Sequence, residues 1–455
     1  MSDPKALVWL RRDLRLSDHS ALAYAENEKL QTAVAFVFDD AILSPLPRDD
    51  RRVGFFHAAL EEIDTELRER GSCLAARSGD PVKEIPRLAA ELGVKFVIAS
   101  RDYEPKALSR DGAVAAALKR AGIELVLLKD QVVFDTDEIL NGSGSPYRVF
   151  TAYKNNWLGR VAPEHFEERG VRLPKLIPAK EIKVQRWDLA TLGFKPLPCW
   201  LEPGEKAAKR RLTAFGKKIA NYVEARDVPS IEGTSGLSAH LRFGTISVRA
   251  CLREARKHSG KGAATWISEL VWRDFYHMIL SQFPHVGHGK AFREEYDKIK
   301  WPGKQAHFEA WCEGRTGFPL VDASMRHFNV TGWMHNRMRM VVASFLTKDL
   351  LIDWRQGEEV FARGLLDFDF AANNGGWQWS ASTGCDAQPY FRVFNPESQS
   401  RRFDPEGKFI KSVLPELRDC PAKLIHAAPG VKGYPEPIVD HSVQRDRAIA
   451  LFKKR

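Results

Sequence analysis

Four stretches in the second half of the chain gather side chains that could bind a flat, charged ligand. Gly233-Thr234-Ser235-Gly236-Leu237-Ser238 sets small hydroxyl residues between glycines just before a helical pattern. Backbone N–H groups, hydroxyls and the positive end of a helix could converge there on an anion. A plain helix-capping loop has the same composition. In Trp266-Ile267-Ser268-Glu269-Leu270-Val271-Trp272-Arg273-Asp274-Phe275-Tyr276, helical spacing puts Glu269, Trp272, Arg273 and Tyr276 along one face. Aromatics beside arginine suit stacking on bases and pairing with phosphates, although core packing produces similar stripes. Trp333-Met334-His335-Asn336-Arg337-Met338-Arg339-Met340 would, as a helix, put Trp333, Asn336, Arg337 and Met340 on a common face. Asp367-Phe368-Asp369-Phe370-Ala371-Ala372-Asn373-Asn374-Gly375-Gly376-Trp377-Gln378-Trp379 is the densest. Its glycines would let a backbone approach a flat ligand, and its acids could accept N–H groups or pair with Arg337 or Arg339. His285 and His288 have no third ligand nearby, so no metal site is expected.

The elements that must hold these stretches follow from periodicity. Apolar runs at 6–10, 32–38, 73–77, 94–99 and 123–128 alternate with helical patterns near 20–28, 51–70, 81–92 and 105–121. That alternation predicts a doubly wound, five-stranded parallel sheet covered on both faces, spanning 1–130. No GxGxxG follows the first strand, so an ordinary dinucleotide site there is unsupported. Residues 131–204 carry Asn141-Gly142-Ser143-Gly144-Ser145-Pro146 and several prolines, and read as a connector with a little helix. From 205 to 455 the pattern is helical throughout, and eight of the twelve tryptophans lie there. The fold class is thus α/β plus all-α.

Composition narrows the function classes. At 455 residues, 44% hydrophobic and 28% charged, the chain is neither disordered nor a disulfide scaffold. No apolar run is long enough to cross a bilayer, and the start reads as a first strand rather than a signal peptide. Six scattered cysteines without metal spacing fit free thiols in a reducing cytoplasm. Residues 1–200 carry 30 basic and 30 acidic side chains, so the whole net charge of +10 lies beyond them. An excess confined to one domain suggests a polyanionic partner for it.

Taken together, Trp9-Leu10-Arg11-Arg12-Asp13-Leu14-Arg15-Leu16, Glu232 to Ser235, Trp272 to Tyr276, Thr331 to Arg337 and Ala371 to Trp379 resemble the DNA photolyase/cryptochrome family. The resemblance covers essentially the whole chain and is strongest to class I cyclobutane pyrimidine dimer photolyases. It implies a U-shaped FAD in the helical domain. Tyr222 and Thr234, Ser235, Gly236, Leu237 and Ser238 would hold the phosphates, and Trp266 and Arg273 would line the flavin pocket. Asp367, Phe368 and Asp369 would contact the flavin and ribityl region, Arg339 would pair with Asp367, and Asn373 would face the reactive flavin nitrogen. The implied reaction is light-driven electron transfer from excited reduced FAD to a flipped-out dimer. Photolyases as a class take their target out of the base stack before acting on it. Trp272 and Trp379 would stack on the dimer, Glu269 and Asn336 would hydrogen-bond it, and Met340 would sit against it. Arg226, Glu269, Trp272, Arg273, Tyr276, Asn336, Arg337 and Gln399 would face DNA. Trp377, Trp354 and Trp301 match the family's tryptophan relay.

The resemblance also implies an antenna chromophore at the α/β domain. Lys106 and Ala107 follow Tyr103-Glu104 where folate-binding relatives carry an acid, which weakens methenyltetrahydrofolate and leaves a deazaflavin, a second flavin or none. Three alternatives stay open: a blue-light receptor without repair activity, a single-strand-specific DASH-type enzyme and a six-four photolyase. The expected partner is damaged DNA, with no membrane association, and the expected state is a monomer.

Overall fold

The computed structural model describes residues 4–170 and 172–453; the expected chain-end positions 1 and 455 lie outside the described residues. Five strands form one parallel sheet: β1 (Lys5–Leu10), β2 (Gln31–Asp39), β3 (Leu74–Gly79), β4 (Phe96–Ser100) and β5 (Glu124–Leu128), in the order β3-β2-β1-β4-β5. Each lies on one of the expected apolar runs. Both faces are covered. Ala6, Val8 and Leu10 of β1 enter one core, and Leu7 and Trp9 enter the other. Burial on both sides is why the strands read as continuous apolar runs rather than alternating ones. The order reverses between β1 and β4, which opens a crevice past their carboxyl ends.

Residues 131–204 are not a tether. Val133, Phe134 and Ile139, with Phe150, Tyr153 and Trp157 of the helix Phe150–Arg160, share a core with Leu212, Trp266, Leu270 and Phe275. Asp274 anchors this arrangement. Its Oδ2 accepts from the backbone N–H groups of Val133 (3.1 Å) and Phe134 (3.2 Å) and from the Trp157 indole (3.0 Å). Burial still pushes that carboxyl up to about 6. Further on, Leu173, Leu176, Trp187 and Phe194 return to coat the sheet. The prolines interrupt helices without preventing burial, so composition alone suggested a looser segment than the one that forms.

The remainder is helical. Four helices build the site: Lys261–Gln282, Asn336–Ser344, Trp354–Gly364 and Phe370–Ala381. The second begins after the residue that periodicity assigned to it. His335 Nδ1 accepts from the Arg337 N–H (3.2 Å) and caps the helix there, so Trp333 lies in the preceding turn and not on the helical face with Asn336 and Met340. In the stretch from Asp367, Asp369 caps the helix Phe370–Ala381 through the Ala372 N–H (3.2 Å).

The two domains meet along residues 11–18 and 242–253. The Leu14 N–H donates to the Phe243 carbonyl (3.0 Å). Gly244, at φ +68°, has no room for a side chain, because a Cβ would stand 2.0 Å from the Arg12 carbonyl oxygen. Beneath this contact lies a buried ion network. Arg249 donates to Asp18 (2.8 Å) and Asp130 (2.9 Å), Arg15 to Asp130 (2.6 Å) and Arg253 to Asp18 (2.8 Å). Burial works to raise the Asp18 and Asp130 carboxyls, but Arg249 and Arg15 outweigh it and hold both below the ordinary value of 3.8. These acids are therefore ionised in the folded state at neutral pH, and their contribution is lost only as pH falls below 3.8. Arg249→Met should destabilise the protein by about 3–5 kcal/mol at pH 7, since it takes the shared partner from two buried carboxylates and leaves each with one arginine. The deficit should shrink as pH is lowered past the ordinary carboxylate range, as read by urea unfolding at a series of pH values.

Candidate active site

A cavity of about 470 Å³ opens where the four helices converge. The helix Lys261–Gln282 lends it Glu269, Trp272, Arg273 and Tyr276, the one-face set expected from their spacing. Asn336, Arg337, Arg339 and Met340 enter from Asn336–Ser344. Asp367, Asp369, Asn373, Gly376, Trp377 and Trp379 complete the wall with Arg226 and Ser238.

Every acid on this wall is paired with an arginine. Arg226 Nη1 donates to Glu269 (2.7 Å), Arg339 Nη2 bridges both oxygens of Asp367 (2.7 and 3.0 Å), and Arg12 of the sheet domain reaches Asp369. Arg337 is held by Asp227 (2.9 Å) and also donates to the Met340 sulfur (3.5 Å). Among the described lining residues the arginines Arg226, Arg242, Arg273, Arg337 and Arg339 outnumber the acids Glu269, Asp367 and Asp369, with Arg337 and Arg242 also paired behind the wall to Asp227 and Glu104. Such a wall favours an anionic ligand in a low-dielectric space. His277 adds nothing to that charge at neutral pH, because burial pulls it down to about 4.

Shape is as specific as charge. Trp272 is clamped flat against Phe150, with ring centroids 3.5 Å apart and planes 7° from parallel. Gly375 and Gly376 behave differently from each other. A Cβ on Gly375 would stand 2.2 Å from the Tyr276 ring, so this glycine admits a neighbouring side chain rather than a ligand. Gly376 faces open space in the cavity, as a site for a flat ligand requires. The Trp377 indole N–H is buried without a partner, and the Asn373 amide donates to the Glu358 carbonyl (3.1 Å), leaving its oxygen available. An orphaned donor, a free acceptor, arginines and an open glycine suit the ring, edge and phosphates of FAD.

Not every expected residue reaches the cavity wall. Tyr222 and Trp266 are buried behind it, both packed on Phe215 (5.6 and 4.7 Å between centroids). Thr234, Ser235 and Gly236 line a separate groove of about 700 Å³ with Trp200 and Trp333, while Ser238 faces the main cavity. Leu237 is buried between them in sequence. Phe368 packs on the core that holds Trp354 and Trp377, and Gln399 is half-buried on the helix Pro396–Phe403. Trp377 lines the cavity, and its ring rests on Gly357, one turn after the buried Trp354. Trp301 is half-buried against the same core. Trp377 also meets Trp311 edge-on at 6.1 Å, a neighbour that sequence reasoning passed over. Arg12, Arg242 and Phe150 were missed as well, since each meets the site only through tertiary contact.

At the crevice of the sheet, Tyr103 is buried and Glu104 is bound by Arg12 (2.8 Å) and Arg242 (3.3 Å). This pair therefore faces the domain seam.

A doubly wound sheet locked to a helical domain, with a cationic, tryptophan-walled cavity inside it, defines the photolyase/cryptochrome class of flavoproteins. The comparisons specify the family. Residues 6–174 match the family model for DNA photolyase, and residues 266–454 that for the FAD binding domain of DNA photolyase. The chain is 41% identical to the deoxyribodipyrimidine photo-lyase of Synechococcus sp., over 98% of this chain and 96% of that one. It superposes on a bacterial class III photolyase from Agrobacterium tumefaciens with a TM-score of 0.91 and 33% identity, covering 100% and 98% of the two chains. An archaeal photolyase from Sulfolobus tokodaii, solved with two FAD molecules, gives 0.88 and 35%, covering 99% and 100%. The chain belongs to the DNA photolyase family, and FAD is its cofactor.

Gly375→Ala should drive Tyr276 into the cavity and cost about 1–3 kcal/mol of stability, as overpacking does. The flavin bound per chain should fall with it. Gly376→Ala should leave the unfolding midpoint nearly unchanged. Flavin absorbance and thermal melts of the two variants check this.

Proposed function

We propose that the chain is a carbon–carbon lyase that uses light to split cyclobutane pyrimidine dimers in DNA, acting as a monomer in a reducing cytoplasm. One observation carries the reading. The residues suited to hold a flavin (Arg339, Asp367, Asp369, Asn373) and those suited to hold a flipped base pair (Trp272, Trp379, Glu269, Asn336, Met340) line one cavity.

Bound FAD, once reduced and excited, supplies the electron that opens the cyclobutane ring and receives it back. The protein does the rest. Trp272, fixed by Phe150, offers a rigid face on which an extruded pyrimidine can stack, and Trp379 offers the second. Arg226 occupies Oε1 of Glu269, so Oε2 is available to accept a base N–H. The Asn336 amide serves a base carbonyl, and Met340, steadied by Arg337, fills the space beside the ring. The arginine-rich wall favours a reduced, anionic flavin, and Asn373 places an uncharged amide where an acid would oppose it. Arg226, Arg273, Tyr276 and Arg337 of the cavity wall, with Gln399 on the helix Pro396–Phe403, complete the DNA-facing set. Trp301, Trp354 and Trp377 form the route by which electrons enter from the surface. In the sheet domain, Glu104 is already engaged by two arginines, which counts against a folate there and leaves a deazaflavin, a second flavin or no antenna chromophore.

Purified protein with reduced FAD should convert dimer-containing oligonucleotide to intact strand under blue light, as read by chromatography against a six-four substrate, in duplex and single-stranded form. Repair of the six-four lesion alone would overturn the dimer assignment, and a light-responsive flavin without any repair would favour a receptor. Trp377→Phe should abolish photoreduction but spare repair by chemically reduced protein; loss of both would remove Trp377 from the entry route. Affinity for damaged DNA should fall linearly on a log–log plot against salt, because phosphate contacts release counterions.

A further inference from the structure

We infer that Arg12, a residue of the sheet domain, is a positioning residue for the flavin cavity: its guanidinium crosses the domain seam and fixes Asp369 on the cavity wall as a permanent anion. The inference rests on the reading that Asp369 faces the flavin.

The geometry is closed on both sides. Asp369 stands at the start of Phe370–Ala381, where Oδ1 accepts from the Ala372 N–H (3.2 Å). Oδ2 accepts from Arg12 Nη2 and lies 3.8 Å from His277 Nε2. The Arg12 and Asp369 side chains are 10% and 11% exposed, so solvent offers little substitute for either partner. Arg12 is also held where it is. Its Nη1 donates to Glu104 (2.8 Å) and Asp102 (3.5 Å), and its backbone is pressed under Gly244.

The charged and titratable groups facing Asp369 are His277, Arg12, Arg273 and Arg242. His277 is neutral at neutral pH, because burial pulls it down to about 4. The Arg273 guanidinium is engaged by the Gln131 carbonyl, and that of Arg242 by Glu104 (3.3 Å). Arg12 alone of these three arginines makes the direct ion pair. Burial works to raise Asp369, yet the neighbouring arginines hold it below the ordinary carboxylate range. Without Arg12, the carboxyl would keep one backbone hydrogen bond and the charges of Arg273 and Arg242, whose guanidinium groups bond elsewhere, and burial would then push it upward. It would become an exchangeable acid on the wall that meets the flavin, able to trade its proton as flavin charge changes. The pairing across the seam removes that option.

The test uses flavin-loaded, full-length protein. In Arg12→Gln, a protonated-carboxyl infrared band should grow in as pH is lowered through about 8 to 5, the range of buried acids. It should be absent from wild type and from the Arg12→Gln/Asp369→Asn double variant. Over the same interval the midpoint potential of the bound flavin should gain a pH dependence that wild type lacks. Arg12→Lys, which keeps the charge, should return both readings most of the way. An Arg12→Gln protein whose infrared and potential curves overlay those of wild type would overturn the inference and leave Arg12 as a strut between domains. If Arg12→Gln does not fold, wild type and Asp369→Asn still decide: an Asp369 band that titrates between pH 5 and 9 in wild type would equally overturn it. Asp369→Asn should raise the potential. No change there would instead mean that Asp369 does not face the flavin, a separate failure of the cavity reading.

Discussion

Buried charge across one seam is the constraint on which the rest of this molecule depends. Asp18 and Asp130 have almost no contact with water, and Arg15, Arg249 and Arg253 come to them from both domains. Such a network contributes little to stability compared with a well-packed apolar core. Its value lies in geometry, since charges in a low-dielectric space tolerate few alternative arrangements. The sheet domain can therefore sit in one orientation on the helices. That orientation brings the end of β1 within reach of the cavity wall.

Inside the cavity the same device serves another purpose. Pairing each acid with an arginine holds the carboxylates stationary on the wall. Rigid aromatic surfaces complete the arrangement. Trp272 cannot tilt because Phe150, from the segment that links the domains, lies flat against it. Orientation of this kind lowers the cost of bringing a lesion and a cofactor together.

Much of this was legible beforehand, for identifiable reasons. The sheet declared itself because strands buried on both faces become unbroken apolar runs. The face with Glu269, Trp272, Arg273 and Tyr276 was legible because a helix of 22 residues imposes its period strictly. Where the reading went astray, a local or distant contact overrode periodicity. His335 capped the next helix and excluded Trp333 from it. Tyr276 used the space left by Gly375. Asp274 drew a proline-rich stretch into the core by satisfying its backbone. Arg12 stood in a motif recognised at once, yet its partner lies 357 positions away, and no spacing rule reaches that far.

The path of residues 131–204 has an evolutionary consequence. This segment first completes the helical core and then doubles back to cover the sheet. Cutting the gene at either apparent boundary would leave one half with an open wound of apolar side chains. The two halves cannot be shuffled as modules, and a lineage that altered the sheet domain would have to do so by substitution in place rather than by exchange.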